Sequence, residues 1–131
     1  MGERITTWLA REFEEVDLGD QRLNKRCQKI AKIMGQHPDQ SIPNACEDWA
    51  NTKAAYRFFG HEEVTREELM KSHSQHTAER SRQCPEVLAI QDTTYLNFTH
   101  HLATKGLGPI GTSSQNIQGL VVHNTMAVDL G

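Results

Sequence analysis

The chain has 131 residues, 37% of them hydrophobic, with 17 acids against 14 bases and a formal charge of −3. That length suits one domain, or one small domain plus a piece of another, and can bury a core without staples. The acidic balance excludes a uniformly basic nucleic-acid binder and leaves local clustering to decide that question, while a mean hydropathy of −0.62 points to a broad solvated or partner-facing surface.

Residues up to about Arg82 read as helical. The first helix is expected from Thr7 to Val16, with Trp8, Leu9, Phe13 and Val16 as its apolar set. Gly19-Asp20 separates it from a second helix, Gln21 to Met34, with Asp20 as N-cap and Gly35 as the C′ residue. Leu23, Cys27, Ile30 and Met34 define its buried stripe. Ile42-Pro43 leads into a third helix, Asn44 to Phe59, with Ala45, Trp49, Thr52, Tyr56 and Phe59 facing inward and Gly60 as the stop. Thr65-Arg66-Glu67-Glu68 is a capping box and Val64 with Leu69 a hydrophobic staple, which start a fourth helix running to about Ser81. Pro85 marks the change to strands. Val87 to Ile90 reads as a strand buried on both faces, Thr104 to Gln118 as a long loop, and Gly119 to Leu130 as a second strand. The fold class expected is α+β: a mainly helical N-terminal bundle of about four helices, then two antiparallel strands.

The charge is not evenly spread. At roughly 100° per residue, Arg22, Lys25, Arg26, Lys29 and Lys32 fall within an arc of about 120° on the second helix. Such a face suits a DNA backbone, where neutralised phosphates release counterions. It equally suits a solvated face paired with Glu12, Glu14 or Glu15 of the preceding helix. Arg57, within Ala55-Tyr56-Arg57-Phe58-Phe59, is either a phosphate contact or an arginine snorkelling beside core aromatics.

Other chemistry is weakly signalled. Cys27, Cys46 and Cys84 are odd in number, far apart and without a CxxC, so neither a disulfide framework nor a zinc knuckle is indicated and a cytoplasmic, reducing compartment fits. Met1 to Arg11 carries Glu3, Arg4 and Arg11 and no apolar run, so it is read as neither signal peptide nor membrane anchor. His73 and His76 share a helix face without a third ligand in view. His100-His101 follow the first strand closely. Gly106-Leu107-Gly108-Pro109-Ile110-Gly111 lacks the Lys-Ser/Thr ending of a phosphate loop.

Asp92 has the most defined setting. It follows the apolar run and precedes Thr93-Thr94, a platform for a metal ion or acid–base role, or a strand end closing in an Asx-type turn. Two-metal chemistry needs several acids around the metal pair. If the two strands pair antiparallel across a loop from 97 to 118, paired residue numbers sum to about 217. Asp129 then lies opposite residue 88, about 13 Å along the sheet from Asp92, a poor partner.

Trp8, the Leu18-Gly19-Asp20-Gln21-Arg22 turn, Ser41-Ile42, Ala54-Ala55-Tyr56-Arg57-Phe58, Leu88-Ala89-Ile90-Gln91-Asp92-Thr93-Thr94 and Val121-Val122-His123 occur in an order that resembles the N-terminal part of cut-and-paste DDE transposases of the Tn-five type, in the IS-four group. The resemblance spans nearly the whole chain. It implies a helical DNA-binding domain over residues 1–82 that recognises double-stranded transposon-end DNA, and the start of an RNase H-like catalytic domain over residues 83–131. It further implies that Asp92 is the first acid of an Asp-Asp-Glu triad holding Mg²⁺ or Mn²⁺ in an intact parent, and that Arg57 and the basic helix lie in the DNA-binding part. The second Asp and the Glu have no counterpart in residues 1–131, so the chain alone is expected not to catalyse transposition or to hold a metal tightly. A bacterial, nucleoid-associated location follows from the resemblance, as does self-association or pairing with a full-length transposase. Two further readings are a truncated transposase that inhibits an intact one, and a metal-dependent nuclease needing a second acid near Asp92.

Overall fold

The computed structural model describes residues 2–112 and 114–131, with side chains from Thr7 onward; Ser113, within the long loop, lies outside the described residues. The elements are α1 (Gly2–Glu12), α2 (Gln21–Gln36), α3 (Ile42–Cys46), α4 (Trp49–Phe59), α5 (Arg66–Arg82), β1 (Val87–Asn97), β2 (Gly108–Pro109) and β3 (Gln118–Asp129). The protein is α+β, helices first and an antiparallel sheet after. It divides into two compact units, Met1–Arg80 and Ser81–Gly131.

In the helical unit, α1 stops at Glu12 rather than continuing to Val16. The Glu12 carbonyl accepts the Ser72 hydroxyl at 2.9 Å, and the next turn tightens through Glu14 N–H to Arg11 O and Val16 N–H to Phe13 O. A side chain from α5 thus satisfies an orphan carbonyl at the end of α1. The connection to α2 is fixed by its own residues. Gly19 has φ 77°, Leu18 N–H donates to Asn24 Oδ1 at 2.8 Å, and Asp20 caps α2 by accepting Arg22 N–H at 2.7 Å. Gly35 is not the end of α2. It lies one residue inside, where a methyl group would collide with the Leu9 side chain, so this glycine serves helix approach rather than capping.

The expected third helix is two helices. Glu47 sits at φ 61° and Asp48 starts a new helix as N-cap, accepting Asn51 N–H at 2.7 Å. The break rotates the stripe: Thr52, Ala55 and Phe58 face inward and are buried, whereas Trp49, Tyr56 and Phe59 are exposed. Thr65 accepts Glu68 N–H at 3.3 Å, the capping contact expected at the start of α5. Val16, Leu18, Cys27, Ile30, Cys46, Ala55 and Phe58 form the core, with Phe13, Leu23, Ile33, Ile42, Val64 and Leu69 packed against it. Val64 and Leu69, the two arms of the staple, therefore do reach the core. Trp8 and Met34, expected inside, are partly exposed at 48% and 37%.

The second unit is a sheet of order β1-β3-β2. Val87 faces Asp129 and Asp92 faces Asn124, a register one residue from that expected. β1 runs through Asp92 to Asn97 without ending at the threonines. Asn97 makes the turn instead, its Oδ1 accepting Thr99 N–H at 3.0 Å. Within the long loop, Gly108 and Pro109 pair with Gly119 and Gln118, Pro109 on an edge strand where a missing N–H is tolerated. Gly119 lies between two strands, and a side chain there would strike the Leu96 carbonyl. β1 is exposed along nearly its whole length, not buried on both faces. A strand with so many apolar residues on both faces is built to be covered on both, and the described residues of the second unit form no layer that does so.

Candidate nucleic-acid interface

Two cation-bearing helices of the first unit, α2 and α4, line a groove of about 650 Å³. α2 supplies Arg22, Leu23 and Arg26; α4 supplies Ala50, Lys53, Ala54, Arg57 and Phe58; Asp20 and His61 complete the wall. Helical periodicity explains the set. Arg22 with Arg26, and Lys53 with Arg57, are each four residues apart and so project from one face of their helix. Two cation pairs therefore meet across one groove. Ala50 and Ala54 keep it open, because a methyl group is all they place between the helices.

The groove carries four permanent positive charges and one carboxylate. Asp20 accepts from Arg22 Nε at 3.2 and 3.3 Å and from Nη2 at 2.8 Å, and this pairing holds its carboxyl below the usual value. Arg26, Lys53 and Arg57 make no ion pair within 4.0 Å among the described residues, so their charge is open to a ligand. His61 Nδ1 accepts Glu63 N–H at 3.2 Å, an assignment that puts the proton of the neutral ring on Nε2 and makes that atom a donor.

Of the three acids named as partners for the basic arc, Glu12 is engaged elsewhere. Glu12 is 1% exposed and accepts from Arg80 at 2.8 and 3.0 Å and from His73 Nδ1 at 2.5 Å. Lys25, Lys29 and Lys32 remain exposed on α2 outside the groove. Lys29 lies near enough to Asp48 to help lower its carboxyl, after the larger effect of the Asn51 N–H bond. Of the six cations singled out from sequence, the structure thus gathers Arg22, Arg26 and Arg57 and leaves the three lysines on the flank. Lys53 and His61 escaped the sequence reading, although the i,i+4 spacing of Lys53 to Arg57 was available as a signal.

Residues 5–64 match the family model for transposase DNA-binding. The match supports an N-terminal transposase portion, and every groove-lining residue, from Asp20 to His61, falls inside it. The match supports DNA as a partner of this segment. No helix among the described residues is long and apolar enough to cross a membrane.

Asp92 belongs to the other unit. It lies in the middle of β1, exposed, with Asn124 opposite. Asp129 pairs with Val87, five residues away, or about 17 Å along the strand. His123 is bonded to Thr93 at 2.7 Å, and successive residues on a strand face opposite ways, which sets this pair on the face away from Asp92. His101 instead packs edge-on against Phe98. No group of three His, Cys, Asp or Glu among the described residues could hold a metal ion. A two-metal centre does not fit the donors around Asp92 here. His73 is held by Glu12, and His76 lies 3.7 Å from Glu79, so that pair forms no metal site either. Burial pushes the Cys27 thiol up to about 11, which makes it an inert core residue rather than a nucleophile.

Proposed function

We propose that the chain is the DNA-binding N-terminal module of a cut-and-paste transposase of the Tn-five type, and that the groove between α2 and α4 grips the double-stranded transposon end. The observation that carries this reading is the facing of Arg22 and Arg26 by Lys53 and Arg57 within the segment that matches the transposase DNA-binding family. Those four side chains contact phosphates, His61 adds an N–H donor, and Lys25, Lys29 and Lys32 extend the positive surface along the flanking backbone. Arginine forks match phosphate oxygens in pairs and fix orientation as well as affinity. On the same reading residues 83–131 begin an RNase H-like domain, and Asp92 is the first acid of its triad, a ligand for Mg²⁺ or Mn²⁺ in an intact parent. With one carboxylate there and no partner within reach, no strand-cutting step is assigned to this chain. Binding is expected to favour one end sequence and to weaken steeply with salt. Equal affinity for every duplex, or no binding at low salt, would contradict the proposal.

The open edge of β1 favours a second role. Eleven residues of strand at the rim of the sheet present unpaired backbone groups for another chain. Pairing with a longer transposase would make this chain an inhibitor of transposition. Transposition unchanged by an excess of the chain would remove that role.

A further inference from the structure

α4 carries a second feature that phosphate contact does not use. Trp49 and Tyr56 are 74% and 55% exposed, although both are large aromatic side chains. At roughly 100° per residue they fall within about 20° of each other, on the side of Lys53 away from Ala54. Going round α4 from the core, the order is Thr52, Tyr56, Trp49, Lys53, Arg57. An aromatic strip therefore borders the cationic wall of the groove. Two acids precede Trp49. Asp48 is bonded to Asn51 N–H and Nδ2 at 2.7 and 2.6 Å and has Lys29 nearby, and Glu47 lies 3.9 Å from His37.

We propose that Trp49, supported by Tyr56, stacks on an unpaired base of a DNA strand whose phosphates are held by Lys53 and Arg57, so that the module binds a frayed or tailed duplex better than a blunt one. The proposal rests on the reading of the α2/α4 groove as the DNA interface and adds the class of DNA it favours. The physical reason is the availability of ring faces. Inside a duplex each base face is covered by its neighbours, and only an unpaired base offers a face to an indole. An exposed indole next to cations is the arrangement that binds single strands through stacking plus backbone charge, and it tolerates any base because every base has a π-face.

The test uses the full chain and two probes, a duplex with an unpaired oligothymidine tail and the same duplex blunt-ended. Trp8 and Trp49 are the two tryptophans of the chain, so a Trp8→Phe background makes fluorescence report Trp49 alone. The tailed probe should quench that emission and the blunt probe should not. Trp49→Ala should weaken binding to the tailed probe by about tenfold and leave the blunt duplex unchanged, with Trp49→Phe restoring much of the loss. Because Trp49 is exposed, its thermal unfolding midpoint serves as the folding control and should not move. Absence of quenching, or equal effects of Trp49→Ala on both probes, would overturn the proposal. Arg57→Ala separates the two ideas. If it weakens both probes while Trp49→Ala weakens neither, stacking fails and the groove stands; if it weakens neither, the groove reading itself has failed.

Discussion

α2 and β1 both carry a continuous set of apolar residues, and the molecule treats them differently. On α2, Cys27 and Ile30 are 4% and 6% exposed beneath the other helices; on β1, Leu88 and Ile90 are each 47% exposed. All the buried apolar side chains of the described residues, from Leu9 to Phe58, belong to the helical unit. The sheet has a complete hydrogen-bonded register between β1 and β3 but no packed layer. Backbone pairing sets which residues face each other; only burial makes the arrangement resist opening. The helical unit is therefore the part that can present a fixed surface to DNA, and the sheet is a platform awaiting cover.

The largest effect expected from this contrast is in amide hydrogen exchange. Amides in the middle of α2 and α4 should exchange at least about a hundredfold more slowly than those of β1 and β3; equal protection in the two regions would break the comparison. Next is Phe58→Ala, which removes the largest apolar side chain of the helical core. It should lower stability by about 3–5 kcal/mol in thermal unfolding, whereas Leu88→Ala on the exposed strand should change it by under about 0.5 kcal/mol.

A smaller effect is expected at Glu12, the buried carboxylate that ties α1 to α5. Burial pushes its carboxyl up, but the bonds from Arg80 and His73 outweigh this and hold it below the ordinary 4.5. A carboxyl more acidic in the folded than in the unfolded state stabilises the fold above about pH 4.5, and that contribution is lost as pH falls through the lower folded value. Glu12→Gln should cost about 1–3 kcal/mol at neutral pH and flatten the acid limb of the stability profile, as read by urea unfolding across pH. An acid limb as steep as in the parent chain would place the responsible carboxylate elsewhere.

The smallest effect concerns the one acid of the groove. Asp20→Asn keeps a competent N-cap but releases Arg22 from its ion pair. Stability should stay close to that of the parent chain, and DNA affinity at low salt should rise about two- to fivefold. Weaker DNA binding in this variant would mean that Asp20 helps orient Arg22 rather than masking it.

Much of the helical unit was legible because its punctuation is chemical and local. Asp20 and Thr65 cap helices where their side-chain oxygens predict, and the spacing of Leu23, Cys27 and Ile30 marks the core face of α2. Asp48 was passed over because no glycine or proline announces the break at Glu47, and the apolar spacing of Ala45, Trp49 and Thr52 runs through it as if the helix were continuous. That one error carried Trp49 and Tyr56 to the wrong side, while Lys53 was passed over although its spacing to Arg57 was in plain view. The end of α1 was lost for a different reason, since Ser72, distant in sequence, takes the carbonyl that would have continued the helix. The register of the sheet followed from loop length alone to within one residue. The exposure of β1 did not, because an apolar strand records the cover it is suited to and not whether that cover is present.

Whether DNA enters the groove between α2 and α4 is decided by measuring binding of the full chain to a duplex bearing a transposon-end sequence over a range of salt, in parallel for Arg26→Ala, Arg57→Ala and Lys105→Ala. The two groove substitutions should each weaken binding and reduce the slope of log affinity against log salt by about 0.9, while Lys105→Ala, in the loop of the second unit, leaves it unchanged. A slope unaltered by the arginine substitutions, or one reduced as much by Lys105→Ala, would contradict the account.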